Sequence, residues 1–165
     1  MDFDRAQQEV LTWIVGFVEQ PNALLQGWPP CPYARQARLQ NLLELRPGIA
    51  DPYSDSELAE MGDLDVIGYI YDPGQFSADQ FNALVDRANQ DWLVPRDMIA
   101  LADHPGDQEV INGVVMNQGT WAIMFLQSLS KLNHHARLLA RKGFYDQWPE
   151  DYLRVLFRNR QDPRQ

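Results

Sequence analysis

Two apolar runs, Met98–Ala102 and Trp121–Leu126, most constrain what this chain can become. Each has the length of a strand and is apolar at successive positions, as strands from the middle of a sheet are. The stretch between them is polar and carries His104, Asp107, Glu109, Asn112 and Asn117. Buried strands that hold a polar, histidine-bearing loop are a common way to build a site. His104 precedes Pro105, and a residue before proline is pushed out of the helical region toward extended geometry. The ring is therefore presented from a stiff, strand-end backbone.

The rest of the pattern alternates helices with strands. Asp4 and Gln7 make a capping box, and Val10, Trp13, Ile14, Phe17 and Val18 form one apolar stripe on a helix over 4–19. Residues 21–33 are a loop broken by Gly27, Pro29, Pro30 and Pro32. Residues 34–46 suit either a helix or a strand, and the strand over 38–45 is preferred. Ser54 and Glu57 cap a short helix, and Val66–Tyr71 is a buried strand. Ser77 and Gln80 cap another helix with Phe81, Leu84, Val85, Ala88 and Trp92 inward. Leu129, Leu132, Ala136 and Leu139 fit a helix that ends at Arg141, Lys142 and Gly143. Pro149 opens a last helix with Leu153, Leu156 and Phe157 inward, and the tail Asn159–Gln165 frays. This order predicts an α/β fold, a single-domain sandwich with a mixed central sheet and flanking helices spanning 1–165.

Composition narrows the function classes. A net charge of −9 argues against a nucleic-acid partner, which needs a positive footprint. No apolar run is long enough to cross a membrane, and the acidic start Met-Asp-Phe-Asp-Arg lacks a signal pattern. A cytoplasmic location is the expectation. One cysteine, Cys31, excludes an internal disulfide and a cysteine-based zinc cage.

His104 has two readings of equal weight. It is either a loop histidine bonded to Asp103 or Asp107, or a metal or haem-iron ligand or general base. The adjacent His134 and His135 point about 100° apart on a helix and do not share a metal easily. His135 lies nearer the apolar face and His134 nearer the Arg137–Arg141 face. Cys31 is a small hydrophobe unless a cation stabilises its thiolate, and Arg35 and Arg38 are near in sequence. Cys31-Pro32-Tyr33-Ala34 is similar to the glutaredoxin Cys-Pro-Tyr-Cys with alanine in place of the second cysteine, but a proline-rich loop replaces the strand that should precede it. Cys31 is accordingly expected to be structural or pocket-lining. Arg35 with Arg38, or Arg137, Arg141 and Lys142, are candidates to pair with ligand carboxylates.

Several short motifs fall in a known order: Pro-Pro-Cys-Pro-Tyr-Ala-Arg-Gln-Ala-Arg from Pro29, then His104-Pro105, Thr120–Gln127, Gly143-Phe144-Tyr145 and Leu153–Asp162. This resembles the YqcI/YcgG family, whose members include haem-dependent enzymes that hydroxylate guanidine nitrogens. The resemblance implies a haem-dependent N-oxygenase acting on a small amine or guanidine. It puts His104 in the His-Pro position, as the iron ligand, and Cys31 in the Pro-Cys position. The family's serine- and arginine-rich stretch after His-Pro is replaced by Gly106-Asp107-Gln108-Glu109. A haem also needs an apolar slot and cations for its propionates. Trp121, with Ile123, Phe125 and Val115, is the candidate slot, and Arg35 and Arg38 are the candidate cations. Asp107 and Glu109 are placed to hold a cationic substrate. Two alternatives belong to other classes. One is a thiol enzyme built on Cys31. The other is a non-enzymatic interaction module, a homodimer included, in which the five tryptophans form an interface.

Overall fold

A computed structural model describes residues 1–49 and 61–165. Its centre is a four-stranded mixed sheet in the order β1-β2-β6-β3, formed by β1 (Leu43–Pro47), β2 (Val66–Tyr71), β3 (Met98–Asp103) and β6 (Ala122–Ser128). β1 runs parallel to β2, while β6 is antiparallel to both β2 and β3. β2 and β6 take the middle because both of their faces are apolar. The α/β sandwich with a mixed sheet, read from the sequence, is what the chain forms. Among the described residues no helix is long and apolar enough to cross a membrane.

Strand alternation assigns the two faces. Ile67, Tyr69, Tyr71, Met98, Ala100, Ala122, Met124 and Leu126 point to one side, where α3 (Ala78–Ala88) buries Phe81, Val85 and Ala88 against them. The capping box of Ser77 and Gln80 starts α3 as the sequence predicts. Leu45, Ile70 and Ile123 point to the other side, where α1 (Phe3–Trp13) buries Ala6 and Val10. Ile14 continues that stripe in a π-turn, Ile14–Val18, closed by the Glu19 N–H on the Ile14 carbonyl at 3.0 Å. One helix cannot cover this second face. α4 (Leu129–Arg141) and α5 (Glu150–Leu156) gather Ala136, Leu139, Phe144, Tyr145, Leu153 and Phe157 into a separate cluster beside it.

Several expectations are corrected. α1 starts earlier than Asp4: Asp2 is its cap, accepting from the Arg5 N–H at 3.2 Å, and Gln7 donates instead to the Leu45 carbonyl. The ambiguous stretch 34–46 holds both a helix and a strand. α2 (Ala34–Leu39) buries Ala34 and Ala37, Asn41 turns left-handed at φ 57°, and β1 begins only at Leu43. The strand over 38–45 therefore starts late, because its first residues complete a helical turn. The Ser54–Glu57 helix lies outside the described residues. The 104–120 stretch is not all loop: β4 (Val110–Ile111) and β5 (Val114–Val115) form a hairpin. Its turn is Asn112-Gly113, with φ 51° and 83°, the pairing that a tight primed turn favours. The tail does not fray freely. Arg164 pairs with Glu150 at 2.7 Å and with Asp162 at 2.6 Å. All five tryptophans are part-buried.

Candidate functional site

The polar loop after β3 is a self-bonded knot. Asp103 ends β3 on the second face of the sheet and is buried. Its carboxylate accepts from Asn117 Nδ2 at 3.0 Å and from the Gln118 N–H at 2.9 Å. Burial still pushes its pKa upward against those donors. Asn117 also donates to the Asp107 carbonyl at 2.9 Å and accepts from the Glu109 N–H at 2.6 Å. One side chain thus ties four loop positions together.

His104 belongs to this knot. It is 6% exposed, packed 5.8 Å from the Phe81 ring. Nδ1 accepts from the Gly106 N–H at 3.0 Å, and Nε2 lies 3.0 Å from the Phe76 carbonyl. A backbone N–H only donates and a carbonyl only accepts, so the proton sits on Nε2 and both nitrogens are engaged. Neither Asp103 nor Asp107 is its partner. A Cβ at Gly106 would lie 3.1 Å from Nδ1, so the glycine is what lets the backbone close on the ring. An iron at His104 would have to displace one of these bonds.

The other candidates from the sequence are scattered. Asp107 is exposed and accepts from Asn82 Nδ2 at 2.7 Å. Glu109 turns away from it and accepts from the Tyr152 hydroxyl at 3.2 Å. Trp121 precedes β6, and its indole N–H donates to Glu9 at 2.7 Å. Arg38 makes a two-pronged pair with Glu19, including Nη2–Oε1 at 2.9 Å, and Glu19 is 7% exposed. Arg35 is exposed on α2. His134 is exposed as well, whereas His135 turns inward as its place on the helix suggested. Among the described residues, no three His, Cys, Asp or Glu side chains converge as a metal-binding group.

The structure gathers a different set of residues. Where the α1 cluster and the α4–α5 cluster fail to meet, a cavity of about 290 Å³ remains. Its walls come from five parts of the chain: the π-turn, the Pro30–Ala37 segment, the sheet residues Leu43, Leu101 and Phe125, α4, and the C-terminal segment. Tyr33 stacks on His135 with ring centres 3.9 Å apart, and burial lowers the His135 pKa. At the rim, Lys131 pairs with Asp65 at 2.9 Å. Cys31 lines the cavity and is solvent-accessible there, although protein surrounds it closely. That enclosure pushes its thiol pKa up, against the opposing Arg160 charge and the Tyr33 and Ala34 amides. Of the residues expected around a haem, Cys31 and Phe125 line the cavity.

One part of the wall is polar. Arg160, Tyr145, Tyr152 and Cys31 all line the cavity, and the last three each interact electrostatically with Arg160. Burial raises the Tyr145 phenol to about 12 and raises Tyr152 further. The Arg160 guanidinium sits over the Phe157 ring at 4.9 Å, bonds to Tyr145, and leaves its buried Nε without a partner. Sequence reasoning missed this arginine by assigning it to a fraying tail. A signal existed: Leu153, Leu156, Phe157 and Arg160 stand at i, i+3, i+4 and i+7, which continues the inward stripe of the last helix.

The chain matches no family model, no curated protein and no solved structure. The resemblance to the YqcI/YcgG family rests on the short motifs alone.

Proposed function

We propose that the protein binds a small, largely apolar molecule in the cavity between α1, the sheet, α4 and the C-terminal segment. The observation that carries this reading is the cavity itself. The cavity opens to solvent on one side, and its apolar wall gains the free energy of burial when an apolar ligand covers it. An apolar cavity of roughly 150 Å³ already admits benzene or xenon. A volume of about 290 Å³ lined chiefly by aliphatic and aromatic side chains takes something larger. It lies at the lower edge of the roughly 300–1,000 Å³ usual for small-molecule sites.

The haem-dependent N-oxygenase reading has a poorer fit. His104 has both nitrogens engaged, Arg38 is committed to Glu19, and Trp121 is held by Glu9. A haem in the cavity would meet the Cys31 thiol and the His135 ring instead. The residues expected to hold that cofactor do not assemble as a set, and no oxygenation step follows from them.

The test is titration with a neutral apolar fluorophore, N-phenyl-1-naphthylamine. A saturable, one-to-one enhancement is the expected result. Leu132→Trp, which fills the cavity from α4, should suppress it. No saturable signal, or one indifferent to that substitution, rejects the binding reading.

A further inference from the structure

Resting on the cavity reading, we infer that the natural ligand is an apolar carboxylate and that Arg160 is the residue that receives its carboxylate. The argument begins with an imbalance. Arg160 lines an apolar cavity, its Nε is buried without a partner, and among the described residues no carboxylate lies within ion-pair distance of it. The polar groups that interact with it in the wall, Tyr145, Tyr152 and Cys31, are uncharged at neutral pH. Burial pushes the Tyr145 and Tyr152 phenols and the Cys31 thiol upward, so none is an anion there. A guanidinium does not deprotonate in proteins and cannot relieve the imbalance itself.

Glu109 joins this group through Tyr152, and it makes no ion pair with Arg160. Its oxygen accepts from Tyr152, and burial together with the Asp103 and Asp107 charges pushes its pKa up. The rim cation Lys131 is already paired with Asp65, which leaves Arg160 as the unpaired one. Arg160 is part-buried with its Nε fully enclosed; an enclosed polar atom with no partner is costly, while a guanidinium and a carboxylate form two parallel, charge-assisted hydrogen bonds. A ligand that brings one carboxylate and an apolar body would satisfy the cation and fill the void together. Tyr145 stands beside Arg160 as a further hydroxyl donor to the same group, while the Tyr152 O–H is already given to Glu109.

The experiment compares matched pairs in the full chain: decanoate against decanol, and 3-phenylpropionate against 3-phenylpropanol. Each displaces the naphthylamine probe from wild type, Arg160→Met, Arg160→Lys and Lys131→Met. In wild type, the acid of at least one pair should bind roughly 10- to 100-fold tighter than its alcohol, the range of hydrogen bonds to charged groups. The pair with the larger ratio separates an alkyl from an aryl ligand. Arg160→Met should erase the ratio and keep alcohol binding. Arg160→Lys should keep part of it, and Lys131→Met should leave it intact. Equal binding of acid and alcohol to wild type overturns the carboxylate inference and leaves the cavity reading standing. If neither member of either pair displaces the probe, the inference is overturned. Failure of the probe itself to bind defeats both readings. Should Arg160→Met not fold, an unchanged ratio in Arg160→Lys overturns the role of the guanidinium fork, and a loss of the ratio in Lys131→Met assigns the anion to the rim.

Discussion

Replacing His104 with alanine separates a structural histidine from a functional one. The substitution removes the bond from Nε2 to the Phe76 carbonyl and the bond from the Gly106 N–H to Nδ1, each 3.0 Å long. At about 1 kcal/mol net apiece these contribute about 2 kcal/mol. The buried ring also packs on Phe81, and its loss leaves a small void. Phe→Ala in a core costs about 3–5 kcal/mol, and a smaller, more polar ring should cost about a third of that. The sum is about 3–4 kcal/mol. For a chain of this size it corresponds to a fall of roughly 6–16 °C in the melting temperature. Urea unfolding monitored by tryptophan fluorescence measures it, with the slope checked for constancy. His104 does not line the cavity, so naphthylamine binding by the folded variant should be unchanged. A variant within about 0.5 kcal/mol of wild type, the range of ordinary surface changes, would refute the knot. A stable variant that no longer binds the probe would return His104 to the site.

Three further outcomes are expected. In absorption spectra of protein incubated with haem, His104→Ala should match wild type in any Soret band; a band lost with the substitution would make His104 the ligand after all. Burial raises the Asp103 and Glu109 carboxyls, so the folded state keeps protons that the unfolded chain loses near the reference values of about 3.9 and 4.3. Their contribution is present in full below those values and is lost as pH rises through the folded pKa values. Asp103→Asn should therefore be less pH-dependent than wild type in stability measurements upward from about pH 4, and equal slopes would refute the burial argument. Cys31 should alkylate with iodoacetamide more slowly at neutral pH than a free thiol, with a midpoint above about 8.5, and decanoate should protect it; a low midpoint would favour a thiol enzyme.

The sheet was legible where the sequence repeats a physical pattern. Val66–Tyr71 and the core of Ala122–Ser128 are apolar at successive positions because both sheet faces are covered. Ser77 and Gln80 name their helix start because the cap is local chemistry. The Asn112-Gly113 turn is equally local, but the strands it joins, Val110–Ile111 and Val114–Val115, are two residues each and too short to show a strand period. The His104 loop reads the same whether its polar groups face a ligand or one another. Only the partners decide, and Phe76 lies 28 positions away. The cavity is the least legible feature. It exists because two apolar clusters from distant segments dock without meeting, and no window of sequence contains that gap. Arg160 could have been placed by periodicity, but its isolation from carboxylates could not.

A cavity persists only if its walls cannot collapse into it, which points to the Glu19–Arg38 pair. Glu19 follows the π-turn, and Arg38 sits on α2 with its side chain 29% exposed. The pair joins two walls, assisted by the Cys31 N–H on the Val18 carbonyl at 3.1 Å. Arg38→Met would leave the Glu19 carboxylate buried with no cation. Breaking a buried pair costs roughly 3–5 kcal/mol, and the part-exposed Arg38 end places this case near the lower figure. The double variant Glu19→Leu, Arg38→Met removes both charges and should recover most of that stability. It should not recover binding, because the wall is no longer fixed by a two-pronged bond. Urea unfolding and naphthylamine titration of the three variants, Glu19→Leu included, measure both quantities. If Arg38→Met costs under about 1 kcal/mol, the value of an exposed pair, the brace does not hold these walls. If the double variant binds the probe as wild type does, the cavity stays open without it.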